Sequence, residues 1–293
     1  MARMGTIAQR AETLLGCAVV ATTPVAGGDI CTATRLRLST GASVLVKTRP
    51  HAPEGFFRTE AHGLRWLAEA GGLDVPEVLA VEDDALVLEW VEGARPSVEA
   101  AERFGRGLAL THRGGSPVFG AGSGEDGYIG TLPLPNRVAS SWPEFFATRR
   151  VLPYLKLARD RDGISPSDAA AVEAVVHRIV DLAGPEEPPS RLHGDLWSGN
   201  LVWGRDARVW LIDPAAHGGH RETDLAMLAL FGCPQLPRVL QAYQESAPLA
   251  DGWQERVPLH QLFPLLVHAS LFGRGTGGGG YGARAGVAAR RLV

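Results

Sequence analysis

The run His193-Gly194-Asp195-Leu196-Trp197-Ser198-Gly199-Asn200 is followed by Leu211-Ile212-Asp213-Pro214, with Asp213 thirteen residues after Asn200. A site of phosphoryl transfer needs one carboxylate beside the attacking hydroxyl and oxygen ligands for magnesium. An Asp, an Asn five positions on and a second Asp at the end of a following apolar run supply that set. The intervening stretch, 201–212, reads as two short strands around a polar turn. Folding that hairpin back brings Asp213 beside Asn200. Taken singly, His-x-Asp is ordinary loop polarity and Asp-Pro an ordinary turn. Their joint order and spacing carry the reading.

Working toward the N-terminus, strands are expected over Val19–Val25, Ile30–Leu38 and Ser43–Thr48, the last bearing Lys47. Gly27 and Gly28 fall between the first two, where a nucleotide site places a phosphate-covering loop; a plain hairpin is the competing reading. A helix follows from Phe56 to Ala70 and stops at Gly71-Gly72. Glu60, Leu64 and Leu67 share one face of it. An acid on an apolar face is costly to bury unless paired, and a helix packed behind the Lys47 strand gives Glu60 that partner. Strands are expected at Glu77–Val81 and Ala85–Val91, and Glu92 to Pro96 breaks the pattern as a hinge.

Beyond the hinge the chain turns mainly helical: Val98–Arg113, Trp142–Ala158, Ser165–Ala183, Asp224–Phe231, and most of the C-terminal remainder. The Gly- and Pro-rich stretch from Gly114 to Pro135 is long for a simple connection, which suggests function. Pro185 to Pro189 reads as a rigid linker. Gly273 to Gly282 reads as a loop, and it lacks the Lys-Ser or Lys-Thr of a phosphate cradle.

The 293 residues allow a large core in two lobes, with 45% hydrophobic and 21% charged residues and a formal charge of −3. No basic stripe marks a nucleic-acid partner. Met1 to Cys17 reads as an amphipathic helix, not a signal peptide. The apolar run Leu262 to Phe272 is too short for a membrane span and reads as a buried helix. Cys17, Cys31 and Cys233 are scattered and form neither a disulfide scaffold nor a zinc site. A reduced cytoplasm fits this usage, and nothing calls for more than a monomer.

At this point the chain resembles the fructosamine kinase, or ketosamine kinase, family. The blocks are Phe57 with Glu60, Leu88 to Gly93, Tyr128-Ile129-Gly130, Phe145-Phe146-Ala147 with Arg149-Arg150, His193 to Asn200, and Gly219-His220-Arg221-Glu222 with Asp224-Leu225-Ala226-Met227. The last two are the most specific, and coverage is close to the full chain.

The resemblance implies an α+β, bilobal, protein-kinase-like fold. An N-terminal nucleotide-binding lobe, 1–91, would carry a small antiparallel sheet and one main helix, and a mainly helical catalytic and substrate-binding lobe would span 92–293. ATP would lie in the cleft as co-substrate with Mg2+. Asp195 matches the catalytic base, Asn200 and Asp213 the magnesium ligands, Lys47 the phosphate-contacting lysine and Glu60 its helix partner. Glu89, Trp90 and Val91 match the adenine-contacting hinge. The implied reaction is phosphorylation of the third hydroxyl of a ketosamine, free or protein-bound, giving an unstable product that releases the amine.

A ketosamine offers a sugar beside a cationic secondary amine, which suits an aromatic face and acids. Trp197, His220, Glu222 and Asp224 are the candidates. Trp197 could instead serve the core and Asp224 could cap its helix; Glu222 has no structural employment legible in the sequence.

Two departures stand out: Asp29 occupies a loop position where many relatives carry Cys, and the glycines at Gly277–Gly280 are more numerous than the family spacing. Gly194 stands where protein kinases have Arg. Only ten residues separate Asp213 from Asp224, which leaves no room for a phosphorylated activation loop. A protein Ser/Thr kinase is therefore not expected. The alternatives are another small-molecule kinase of this fold, acting on an aminoglycoside, choline or an amino alcohol, and a non-catalytic ATP-binding module.

Overall fold

Thr6 opens the first helix, α1 (Ile7–Leu15), with a capping box: its hydroxyl accepts from the Gln9 backbone while the Gln9 side chain accepts from the Thr6 N–H. This is a computed structural model, and it describes residues 6–26, 30–121, 125–273 and 280–293. Gly27, Gly28 and Asp29, and most of the Gly277–Gly280 run, lie outside the described residues.

Strands β1 (Val19–Pro24), β2 (Thr32–Leu38) and β3 (Ser43–Thr48) precede helix α2 (Phe56–Glu69), with β4 (Val78–Val81) and β5 (Ala85–Glu89) after it. They form one antiparallel sheet in the order β1-β2-β3-β5-β4. Alternation along the strands separates its faces. Val44, Val46 and Val87 pack with Ala11 of α1. Leu45, Leu86 and Leu88 pack with Phe57, Ala61 and Leu64 of α2. Lys47 follows Leu45 in the pleat, so it faces the same helix.

The rest of the chain builds the second lobe. Helix α3 (Val98–Arg113) is capped by Ser97. Hairpin β6 (Gly127–Ile129) and β7 (Leu132–Leu134) arises inside the 114–135 stretch, where the sequence shows no periodic signal. Then come α4 (Trp142–Phe145), a π-helical turn (Phe146–Val151), α5 (Leu152–Asp160), α6 (Pro166–His177) and α7 (Ile179–Leu182). Strand β8 (Ser190–Leu192), a 3-10 turn (Ser198–Asn200), β9 (Leu201–Trp203), β10 (Val209–Leu211) and β11 (His217–Gly219) carry the motifs. Helices α8 (Glu222–Phe231), α9 (Leu236–Ser246), α10 (Trp253–Phe272) and α11 (Tyr281–Arg290) complete it. The expected buried helix from Leu262 to Phe272 is the second half of α10, whose Leu262, Phe263, Leu265 and Leu266 join Tyr154 and Phe145 in the main core.

The single helix expected over Trp142–Ala158 contains the π turn instead, and Arg150 sits within that turn, only 1% exposed. Its guanidinium donates to the Pro135 carbonyl and to Asn136 Oδ1, both at 2.6 Å. It also lies 4.5 Å from the Phe145 ring centre. Burial lowers its pKa to about 10, so carbonyl dipoles and an aromatic face do the work that an acid would otherwise do.

Candidate active site

The site starts from the sheet face shared with α2. Lys47 Nζ donates to Glu60 Oε1 at 2.6 Å, to Glu60 Oε2 at 2.7 Å and to Asp213 Oδ1 at 2.8 Å. Lys47 is 7% exposed and Glu60 9%. Burial works against the ammonium charge, but the two carboxylates outweigh it and raise the Lys47 pKa. The lysine thus joins the sheet, α2 and the carboxylate at the end of β10.

Two short antiparallel pairs bring the motifs together. In the expected hairpin, Leu201 faces Leu211 and Trp203 faces Val209. In a second pair, not expected from the sequence, β8 faces β11, with Leu192 opposite His217. Between them Gly194 adopts φ +83°, and a Cβ there would fall 2.1 Å from the Ala215 carbonyl oxygen, so only glycine fits. His193 is fully buried. Its Nδ1 lies 3.3 Å from the Asp195 N–H and its Nε2 3.0 Å from the Ile212 carbonyl. The tautomer with a proton on Nε2 satisfies both contacts and ties the Asp195 loop to the segment entering Asp213.

Asn200 donates its Nδ2 to Asp195 Oδ2 at 2.9 Å and to the Asp195 carbonyl at 2.8 Å. Burial lifts the Asp195 carboxyl to about 7; the Asn200 amide opposes that, and the negative charges of Asp213 and Asp224 add to it. With the Asn200 nitrogen so committed, its Oδ1 is the atom left to face a cation. The Ile212 N–H donates to the Asn200 carbonyl at 3.1 Å, which holds Asp213 beside it. Asp213 has φ +55°, a left-handed conformation uncommon outside glycine. Its side chain is 44% exposed. An amide oxygen and a half-open carboxylate are hard donors of the type magnesium prefers, so these residues fit the ion.

At the hinge the Glu89 N–H donates to the Glu77 carbonyl at 2.9 Å, and the Ala94 N–H donates to the Trp203 carbonyl at 2.5 Å. The Trp90 indole donates to Glu92 at 3.1 Å, and the Arg35 guanidinium lies 4.5 Å from its ring centre. Val91 is half-buried.

Among the candidate acceptor residues, Trp197 is half-buried and meets Phe231 edge-on at 5.9 Å. Asp224 is buried within the first turn of α8 and does not cap it. Its Oδ2 accepts from the His193 N–H at 2.8 Å and its Oδ1 from the Gly194 N–H at 3.0 Å. His112 Nε2 lies 3.3 Å from the same Oδ2, and His112 Nδ1 lies 2.8 Å from the Tyr243 hydroxyl.

The reading of Glu222 as an acid without structural employment is corrected. It is 3% exposed. Arg256 donates to both its oxygens, at 2.9 and 2.6 Å. Burial alone would push this carboxyl up, but the His260 ring and the Arg256 guanidinium bring it to about 2. His220 is likewise 3% exposed, tilted on Trp142 with ring centres 5.0 Å apart. The three groups His220, Glu222 and His260 approach within 4.8 Å. Arg256 already neutralises the carboxylate, so the cluster is an ion-paired strut between α8 and α10. Arg256, His112 and Tyr243 escape a sequence reading; His112 and Tyr243 lie in ordinary amphipathic helices and Arg256 near the start of the largely buried α10, none with a local motif.

A family model described as fructosamine kinase matches residues 4–283. A probable ketoamine kinase of Thermus thermophilus is 39% identical over 254 residues, covering 86% of this chain and 88% of that protein. A probable ketoamine kinase of Escherichia coli is 36% identical over 253 residues, covering 84% and 85%. The crystal structure of a candidate fructosamine-3-kinase from Thermobifida fusca superposes with a TM-score of 0.91 at 48% identity, covering 98% of each chain. More distant is an aminoglycoside phosphotransferase solved with ADP and hygromycin B, at a TM-score of 0.65 and 17% identity; it shares the fold. That fold is bilobal and protein-kinase-like. Among the described residues no helix is long and apolar enough to cross a membrane. A model match over nearly the whole length, with relatives of this closeness, means that the chain belongs to the fructosamine kinase family.

Proposed function

We propose that this kinase transfers the γ-phosphoryl group of ATP to the third hydroxyl of a ketosamine, free or on a protein, as a step of deglycation. The observation that carries the chemistry is the convergence of Lys47, Glu60 and Asp213 with the Asn200–Asp195 hydrogen bond. The curated relatives named as ketoamine kinases support the acceptor class.

We place the lobe boundary between Val91 and Glu92. Backbone groups of Glu89 to Val91 would hold adenine, and Gly27-Gly28 would cover the phosphates. Lys47 would hold the non-transferred phosphates, its charge kept in place by Glu60. Asn200 and Asp213 would hold magnesium, which when bound neutralises charge on the phosphate oxygens. Asp195 accepts the proton of the sugar hydroxyl as that oxygen bonds to the γ-phosphorus. The bond to the bridging oxygen breaks and ADP leaves. Asp224 positions this base by holding the His193 and Gly194 N–H groups. The phosphorylated ketosamine then falls apart and releases the amine. In this reading Trp197 contacts the acceptor, while His220, Glu222 and Asp224 do not.

The test is an acceptor panel read as ADP release: a small fructosamine, choline, an amino alcohol and an aminoglycoside. The fructosamine is expected to give the highest kcat/KM. A higher value for choline or an aminoglycoside would move the enzyme to another acceptor, and no turnover with any of them would leave a binding module.

A further inference from the structure

A row of half-buried rings starts at Trp197, two residues after Asp195, and runs along the rim of the second lobe. Trp197 meets Phe231 at 5.9 Å, Phe231 meets His268 at 4.6 Å, and His268 meets Tyr281 at 5.0 Å between ring centres. Trp197, Phe231, His268 and Tyr281 are each partly exposed, and Phe272 beside them is 45% exposed. The rings come from four separate elements: the catalytic loop, the end of α8, α10 and the start of α11.

Two observations tie this row to the acceptor side of the cleft. A Cβ on Gly199 would fall 2.3 Å from the Trp197 ring, so that ring lies flat against the loop that also carries Asn200. A Cβ on Gly130 would lie 3.3 Å from Leu271 and 3.4 Å from Ile30. Leu271, three residues past His268 on α10, therefore meets the second-lobe hairpin where that hairpin touches the chain entering β2. The row begins at the base and passes the place where the two lobes approach on this side.

His268 Nδ1 lies 2.7 Å from the Pro264 carbonyl, and burial lowers the pKa of this ring, which leaves it a neutral aromatic surface. Arg284, 5.7 Å from the Tyr281 ring centre, adds positive charge at the far end. Such a surface favours an apolar group and repels a second cation.

We infer that the row is the subsite for the group carried on the ketosamine nitrogen, and that it selects an apolar or aromatic substituent. The inference rests on the ketosamine reading above. With the third hydroxyl at Asp195, the nitrogen lies three carbons away along the sugar, within reach of Trp197, where the ammonium can meet a ring face. Its substituent then extends over Phe231, His268 and Tyr281.

The experiment compares two ketosamines of one sugar, made on benzylamine and on methylamine, with the wild-type chain and with Phe231→Ala and Tyr281→Ala. The wild type is expected to show a kcat/KM for the benzyl compound roughly tenfold higher, through KM, as burial of most of a phenyl ring gives. Either variant should bring the two compounds within about threefold while the KM for ATP stays unchanged. Equal wild-type values, or variants that lower both compounds alike, would overturn the subsite and leave the ketosamine reading intact. If neither compound is phosphorylated, both readings fall. Gel filtration of the same proteins supplies the remaining outcome: a dimer that dissociates on Phe231→Ala with unchanged selectivity would assign the row to a second copy and overturn the inference.

Discussion

Lys47 Nζ is held by both oxygens of Glu60, at 2.6 and 2.7 Å, and at the same time reaches Asp213 at 2.8 Å. One ammonium thus links the sheet, α2 and the carboxylate beyond β10. Exchanging it for an uncharged chain of similar length separates charge from packing. Lys47→Met is expected to raise the KM for ATP and lower kcat, while Glu60 loses its buried partner and the chain loses about 3 kcal/mol or more of stability. Steady-state kinetics with a urea titration checks this. Unchanged kinetic constants would reduce Lys47 to a structural tie.

Asp195 is raised to about 7 by burial against the opposing Asn200 hydrogen bond. A general base works only as the carboxylate, so kcat/KM should fall as pH drops through about 7, above the ordinary range of an aspartate near 4. Asp195→Asn should lower kcat by about 10²–10⁴ and abolish that limb while nucleotide still binds. A variant that keeps both its rate and the acidic limb would remove Asp195 from the proton transfer.

Glu222 and Arg256 form a buried, two-point ion pair. Glu222→Ala would leave the guanidinium uncompensated, a loss of about 3–5 kcal/mol. The expectation is a markedly lower denaturation midpoint with an acceptor KM close to that of the wild type. Replacing both partners, Glu222→Leu with Arg256→Met, should recover part of the loss. A Glu222→Ala chain of full stability whose acceptor KM alone rises would return Glu222 to the substrate.

Whether a motif is legible in the sequence depends on where each residue draws its partners. Lys47, Glu60 and the 201–212 hairpin can be read because strand alternation and helical spacing act over a few residues. The β8–β11 pair cannot, because each strand has three residues and β11 carries two glycines, too little for a periodic signal. The buried contacts of His220, Glu222 and Asp224 are not legible in the sequence for a related reason. Their partners Arg256, Trp142 and the His193 backbone come from distant parts of the chain. A carboxylate in a motif looks the same in sequence whether it meets a ligand or a buried arginine.

Burial of histidines sets the acid limit of stability. His217 and His220 are each lowered to about 3, chiefly by burial. Their folded-state pKa lies below the unfolded value near 6.5, so the unfolded chain takes up the protons. The stabilisation is complete above pH 6.5 and is lost as pH falls toward 3. At pH 5 the loss is on the order of 2 kcal/mol for each ring. Asp195, shifted upward, works in the opposite sense between pH 7 and its unfolded value. In the Asp195→Asn background that offset is gone, so the fall in unfolding free energy from pH 7 to pH 5 should be steeper than in the wild type. Urea titrations at the two pH values check this; a stability independent of pH in that variant would contradict it.

The central claim is that the cleft built on Asp195, Asn200, Asp213 and Lys47 phosphorylates the third hydroxyl of a ketosamine. The most direct measurement is NMR of a small fructosamine, labelled with carbon-13 in the sugar, during turnover with ATP and magnesium. The account predicts phosphorus coupling at the third carbon, then decay of that species with release of the free amine. A stable product phosphorylated at another position, or no phosphorylated sugar while ATP is consumed with a different acceptor, would contradict it.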